Sequence, residues 1–100
     1  INAVIKLSKS QDETKRVLAL QCKNLPKYVL IDFSKDPSFP VRRSAVSSEV
    51  MRSIDLLSLF LNDENPEIRF TASYRIKKLE KKSKNIKSEN LLRELIKRIG

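Results

Sequence analysis

Three arginines, Arg16, Arg42 and Arg69, stand 26 and 27 residues apart, and the phrase around them recurs. Asp36-Pro-Ser-Phe-Pro-Val41-Arg42-Arg43-Ser-Ala45-Val46 returns as Asp63-Glu-Asn-Pro66-Glu-Ile68-Arg69-Phe-Thr-Ala72-Ser, and a weaker copy, Lys15-Arg16-Val17-Leu18-Ala19-Leu20, precedes both. A guanidinium is a planar fork of donors that suits two chemistries. It can clamp a carboxylate or carbonyl of a neighbouring helical unit, or it can contact a phosphate. An aspartate in the turn before a helix, such as Asp36 or Asp63, can accept backbone N–H groups while meeting such an arginine. The expected role of Arg16, Asp36, Arg42, Asp63 and Arg69 is therefore structural, a ladder that knits successive units. The competing reading lines the three arginines along one groove to contact phosphates. The wide spacing of stacked helices fits the closer spacing of phosphates poorly.

The second chemistry is electrostatic. The chain carries a formal charge of +9, and 75–100 hold 10 Lys/Arg against 3 Asp/Glu, whereas 1–74 hold 11 against 9. A run of this kind is either a solvated helix face or a landing strip for an anion such as nucleic acid or an acidic protein. The candidate anion contacts are Arg42, Arg43, Arg75, Lys77, Lys78, Lys81, Lys82, Lys84 and Lys87. Clustered with Arg52 on one face they would form a continuous basic surface. Dispersed around a frayed helix they would only solubilise.

Catalysis finds little support. There is no His, one Cys and one Gly, so the usual acid–base, nucleophile and phosphate-cradling arrangements are missing. Paired acids such as Asp12/Glu13 and Asp63/Glu64 fall at expected helix starts, where the helix dipole accounts for them. The chain is read as a non-enzyme without cofactor or metal. Cys22, on an apolar helix, reads as a small buried hydrophobe.

The elements that must position these groups are helices. Leu, Ile, Lys, Glu and Ser dominate, Gly and Trp are nearly or wholly absent, and 100 residues suffice for one core. A helix is expected to end over 3–8. Asp12 caps the next, with Val17, Leu18, Leu20, Gln21 and Cys22 on its buried side. A third runs from about Pro26 to Ser34 and buries Val29, Leu30 and Phe33. Asp36–Pro40 must be a turn, because each Pro disfavours the α region in the residue before it. A fourth helix covers about 41–51. Ser53 caps a fifth that runs to Asn62 and is apolar nearly all round, through Ile54, Leu56, Leu57, Leu59, Phe60 and Leu61. Asn65-Pro66-Glu67 starts a sixth, with Ile68, Ala72, Ile76 and Leu79 on one face. That helix is expected to fray among the lysines of 81–87, and a last helix from Ser88 presents Leu91, Leu92, Leu95, Ile96 and Ile99. Most of the six aromatics, Tyr28, Phe33, Phe39, Phe60, Phe70 and Tyr74, fall on expected core faces.

Residues 15–36 resemble the leucine-rich variant repeat, a short relative in style of the HEAT and armadillo repeats. Arg16, Ala19, Pro26, Leu30, Phe33 and Asp36 fit its order. In 41–63, Val41-Arg42 opens and Leu56, Leu57, Phe60 and Asp63 close a second unit, with Ser53-Ile54 in place of the Pro and one residue added. A third begins at Ile68-Arg69 and Ala72 before departing into lysines. The resemblance covers about 10–80 and implies an all-α, right-handed α-α superhelix of about three short repeats. It also raises a cysteine-bound iron–sulfur cluster, which one Cys and no His leave without ligands. HEAT-like base-excising enzymes exist too, but they work with an acid among aromatic walls. The organisation expected is a solenoid over 1–87 and an amphipathic helix over 88–100 packed on the same domain. The function expected is a scaffold for protein–protein interaction, with a nucleic-acid-binding module using the basic C-terminal quarter as the alternative. No apolar run approaches the roughly 20 residues that span a bilayer, no membrane partner is expected, and the default expectation is a cytoplasmic chain, either processed or cut from a longer one.

Overall fold

The computed structural model describes residues 2–99, with the side chains of 2–82 and 93–98. Among the described residues the chain is all helix and turn. The elements are α1 (Asn2–Ser8), α2 (Glu13–Ala19), α3 (Lys27–Phe33), α4 (Phe39–Ser47), α5 (Ile54–Ser58) and α6 (Pro66–Ile99).

Local chemistry sets most of these starts. Asp12 Oδ1 accepts the Thr14 N–H at 2.9 Å, Ser53 Oγ the Leu56 N–H at 3.1 Å, and Asn65 Oδ1 the Glu67 N–H at 2.9 Å. Each satisfies a donor that a helix N-terminus leaves without an intrahelical partner. Pro26 stands just before α3 in extended backbone, with φ −60° and ψ 150°. The expectation that Asp36–Pro40 is wholly a turn is corrected at its end. Helix α4 starts at Phe39, so Pro40 lies inside the first turn, where its missing N–H would have had no acceptor. The same helix stops at Ser47 rather than 51, with Ser48 extended at ψ 145°. Helix α5 stops at Ser58 rather than Asn62. Its continuation tightens into i→i−3 bonds from Leu59, Phe60 and Leu61 to Leu56, Leu57 and Ser58.

The apolar faces meet in one core. Its fully buried side chains are Val29, Val41, Val46, Met51, Leu57, Phe60 and Ile68, closed by Ala19, Ala45 and Ala72. Helix α1 packs on α2, α2 and α3 on α4, and α4 and α5 on α6. The core-facing residues of α6, Ile68, Ala72 and Ile76 with half-buried Leu79, recur every three or four positions.

Several burial expectations are corrected. Leu18 is 48% exposed, and Ile54, Leu59 and Leu61 are exposed at 38–42%, since α5 and the turn after it bury only Leu56, Leu57 and Phe60. Phe33 and Phe60 are buried and Phe39 packs against the core, but Tyr28, Phe70 and Tyr74 are exposed, so only half of the six aromatics serve the core. The lysine run does not break the helix. Instead α6 continues through 34 residues, about 50 Å, and the separate helix expected from Ser88 is its last part. Leu95 and Ile96 are 53% and 66% exposed, so they do not pack on the core. Lysine is a good helix former, and no Gly or Pro interrupts 67–99. Leu91, Leu92 and Ile99 lie outside the described side chains.

Candidate functional site

The recurrent arginines and aspartates come together. Arg16 Nε donates to Asp36 Oδ2 at 2.8 Å and Nη2 to Oδ1 at 3.2 Å. One unit later, Arg42 Nε donates to Asp63 Oδ2 at 2.8 Å and Nη2 to Oδ1 at 3.5 Å. The remaining corner of each fork reaches back to a carbonyl six residues earlier. Nη1 of Arg16 donates to Ser10 O at 2.8 Å, that of Arg42 to Asp36 O at 2.8 Å, and that of Arg69 to Asp63 O at 2.6 Å. The Arg42 and Asp63 side chains are only 8% and 4% exposed, and those of Arg16 and Asp36 13% and 7%. Two charges so far out of water hold only with good geometry and further hydrogen bonds. Both are present.

Each aspartate also shapes the turn that carries it. Asp36 Oδ1 accepts the Ser38 N–H and Asp63 Oδ1 the Asn65 N–H, both at 2.9 Å. Ser10 occupies the matching place six residues before Arg16, and its Oγ accepts the Asp12 N–H at 3.1 Å. The hydroxyl reproduces the turn without a charge. The sequence reasoning missed Ser10, although the spacing of six from each arginine points to it. Arg69 is exposed, and among the described residues no carboxylate meets its fork.

The basic candidates divide. Arg42 is spent in the core, and Arg43 makes an exposed pair with Glu67 at 3.1 Å. Lys77, Lys78, Lys81 and Lys82 are exposed on α6, whereas Lys84 and Lys87 lie outside the described side chains. Arg75 is half-buried, and its Nη1 donates to Val46 O at 2.7 Å and Ser48 O at 3.0 Å. Burial pushes its guanidinium below the usual arginine range, since desolvation penalises the charged form. Beside it, a cavity of about 250 Å³ is lined by Arg52, Arg75, Lys78 and Leu79. Arg52 enters from the turn between α4 and α5, its Nε held by Glu49 O at 2.9 Å.

Two exposed aromatics on α6 are linked to this cavity through Lys78. Phe70 and Tyr74, 71% and 52% exposed, lie one helical turn apart with ring centroids separated by 6.4 Å. Lys78 Nζ sits 4.8 Å from the Tyr74 ring centroid, a cation–π contact that ties the aromatic pair to the basic cavity. A second groove, of about 350 Å³, follows α4 along Phe39, Pro40, Arg43, Ser44 and Ser47. Cys22 is half-buried against the core. Among the described residues no group of three His, Cys, Asp or Glu could hold a metal ion, and no helix is long and apolar enough to cross a membrane.

No family model, no curated protein and no solved structure matches the chain.

Proposed function

We propose that the chain is a helical-repeat scaffold for protein–protein interaction, stacked as a right-handed α-α superhelix of about three short repeats and without catalytic activity of its own. The resemblance to the leucine-rich variant and HEAT-like repeats supports the architecture. The observation that carries the function is the division of labour among the recurrent residues. Arg16 and Arg42 are consumed within the fold against Asp36 and Asp63, while α6 keeps Phe70 and Tyr74 for an outside surface. Exposed aromatics beside polar groups are favoured at protein interfaces. The test is a photo-crosslinking amino acid in place of Phe70 in the full chain, compared with the same replacement at Tyr28. Discrete protein adducts at position 70 and not at 28 support the reading, and nucleic-acid adducts or none at 70 count against it.

One observation favours a second reading, a nucleic-acid-binding module. Phe70, Tyr74, Lys77, Lys78 and Lys81 recur at helical spacing along one stripe of α6, and stacking faces interleaved with cations suit a single strand.

A further inference from the structure

Arg75 differs from the other arginines that the fold draws away from water. Arg16 and Arg42 each meet an aspartate, and Arg75 meets no carboxylate among the described residues. Its two hydrogen bonds, to Val46 O and Ser48 O, both use Nη1. They fix the group while leaving its Nε and Nη2 without a protein acceptor among the described residues. Arg52 is fixed in the same manner, through Nε to Glu49 O, and among the described residues its two terminal nitrogens meet no protein acceptor. Lys78, three residues from Arg75 and so on the same side of α6, adds a third charge to the cavity that all three line, and among the described residues no acidic one lines it. Arg75 is partly desolvated and has no carboxylate beside it among the described residues, so its burial goes without a counter-charge. An anion in the cavity would supply one.

We propose that the cavity between Arg52, Arg75 and Lys78 binds the phosphoryl group of a phosphorylated partner protein. The inference rests on the scaffold reading above and names the chemistry of the partner. A phosphorylated side chain brings a charge of about −1.5 to −2 and three acceptor oxygens to a single point. Two pre-positioned arginine forks and an ammonium match that point charge. Phosphodiesters carry one charge each and call for cations spread along a track, whereas these three converge on one cavity. Phe70 and Tyr74, joined to the cavity through Lys78, offer apolar faces to the residues that flank the phosphorylated one.

The test uses the full chain and three probes: the peptide acetyl-Leu-Ala-phosphoSer-Ala-Leu-amide, its unphosphorylated parent, and a twelve-residue oligouridylate. The readout is the Nε–Hε resonances of Arg52, Arg75 and Arg69 by NMR at near-physiological salt. The phosphopeptide is expected to shift Arg52 and Arg75 saturably and to leave Arg69 in place, with no response to the parent. Arg52→Gln, at an exposed position, is expected to weaken binding about tenfold, the loss of one charge-assisted contact, and Arg69→Gln to leave it unchanged. Still Arg52 and Arg75 resonances, an equal response to the parent peptide, or an oligouridylate that binds more tightly through the same residues would each overturn the proposal. The cross-linking result at position 70 is independent of these outcomes, so a failed cavity and a failed scaffold reading are told apart.

Discussion

Replacing Arg42 by methionine tests the ladder where it is most buried. The substitution keeps much of the aliphatic stem and removes four contacts: two to Asp63, one to Asp36 O and one to Glu64 at 3.4 Å. It leaves the Asp63 carboxylate, 4% exposed, without its counter-ion. Removing one partner of a buried pair costs about 3–5 kcal/mol, mostly through the charge left behind. For a domain of this size that lowers the melting temperature by about 12 °C or more. The matched control is Arg69→Met. There the guanidinium is exposed and holds one carbonyl, so the cost is expected within about 1 kcal/mol. Urea denaturation followed by circular dichroism measures both. The Arg42→Met/Asp63→Leu double variant is expected to lose about 2 kcal/mol or more less than the sum of the single losses, since it strands no charge. Equal small losses for Arg42→Met and Arg69→Met, or strict additivity in the cycle, would refute the buried ladder.

Three further outcomes follow from the packing. Phe60→Ala, at a fully buried site, is expected to cost about 3–5 kcal/mol, whereas Phe70→Ala, 71% exposed, stays within about 0.5 kcal/mol of the parent by the same denaturation assay. Asp12→Ala removes the acceptor of the Thr14 N–H and is expected to cost about 1 kcal/mol, while Asp12→Asn retains most of the stability. Lys81→Pro breaks an uninterrupted α6 and is expected to reduce the helical signal at 222 nm, whereas a helix already ended at that point would lose nothing.

The features legible in the sequence are those set by neighbours in the chain. Asp12, Ser53 and Asn65 cap helices because their oxygens reach N–H groups two or three residues on, a local geometry that residue type and position reveal. The period linking Arg16, Arg42 and Arg69 was visible for a similar reason, and Asp36 and Asp63 stood out with it. Less legible was where rules compete. Pro40 looks like a helix stop until its place in a first turn makes the missing N–H harmless. The lysines after Arg75 look like a solvated linker, but their helix propensity carries α6 through them. The cavity was invisible because Arg52 and Arg75 belong to different elements and meet only when the turn after α4 packs against α6. Residue type places most of the six aromatics on core faces, but Phe70 and Tyr74 lie away from the face defined by Ile68, Ala72 and Ile76.

The central claim is that the recurrent charges serve the fold and that the open helix faces serve a protein partner. It is tested most directly by binding of fluorescent single- and double-stranded DNA and RNA to the full chain, from low to near-physiological salt, alongside a Lys77/Lys78/Lys81/Lys82→Glu variant. Only a low-salt trace that vanishes near physiological ionic strength is expected. Micromolar or tighter binding that survives there and collapses in the variant would contradict it and make the basic stripe of α6 a nucleic-acid site.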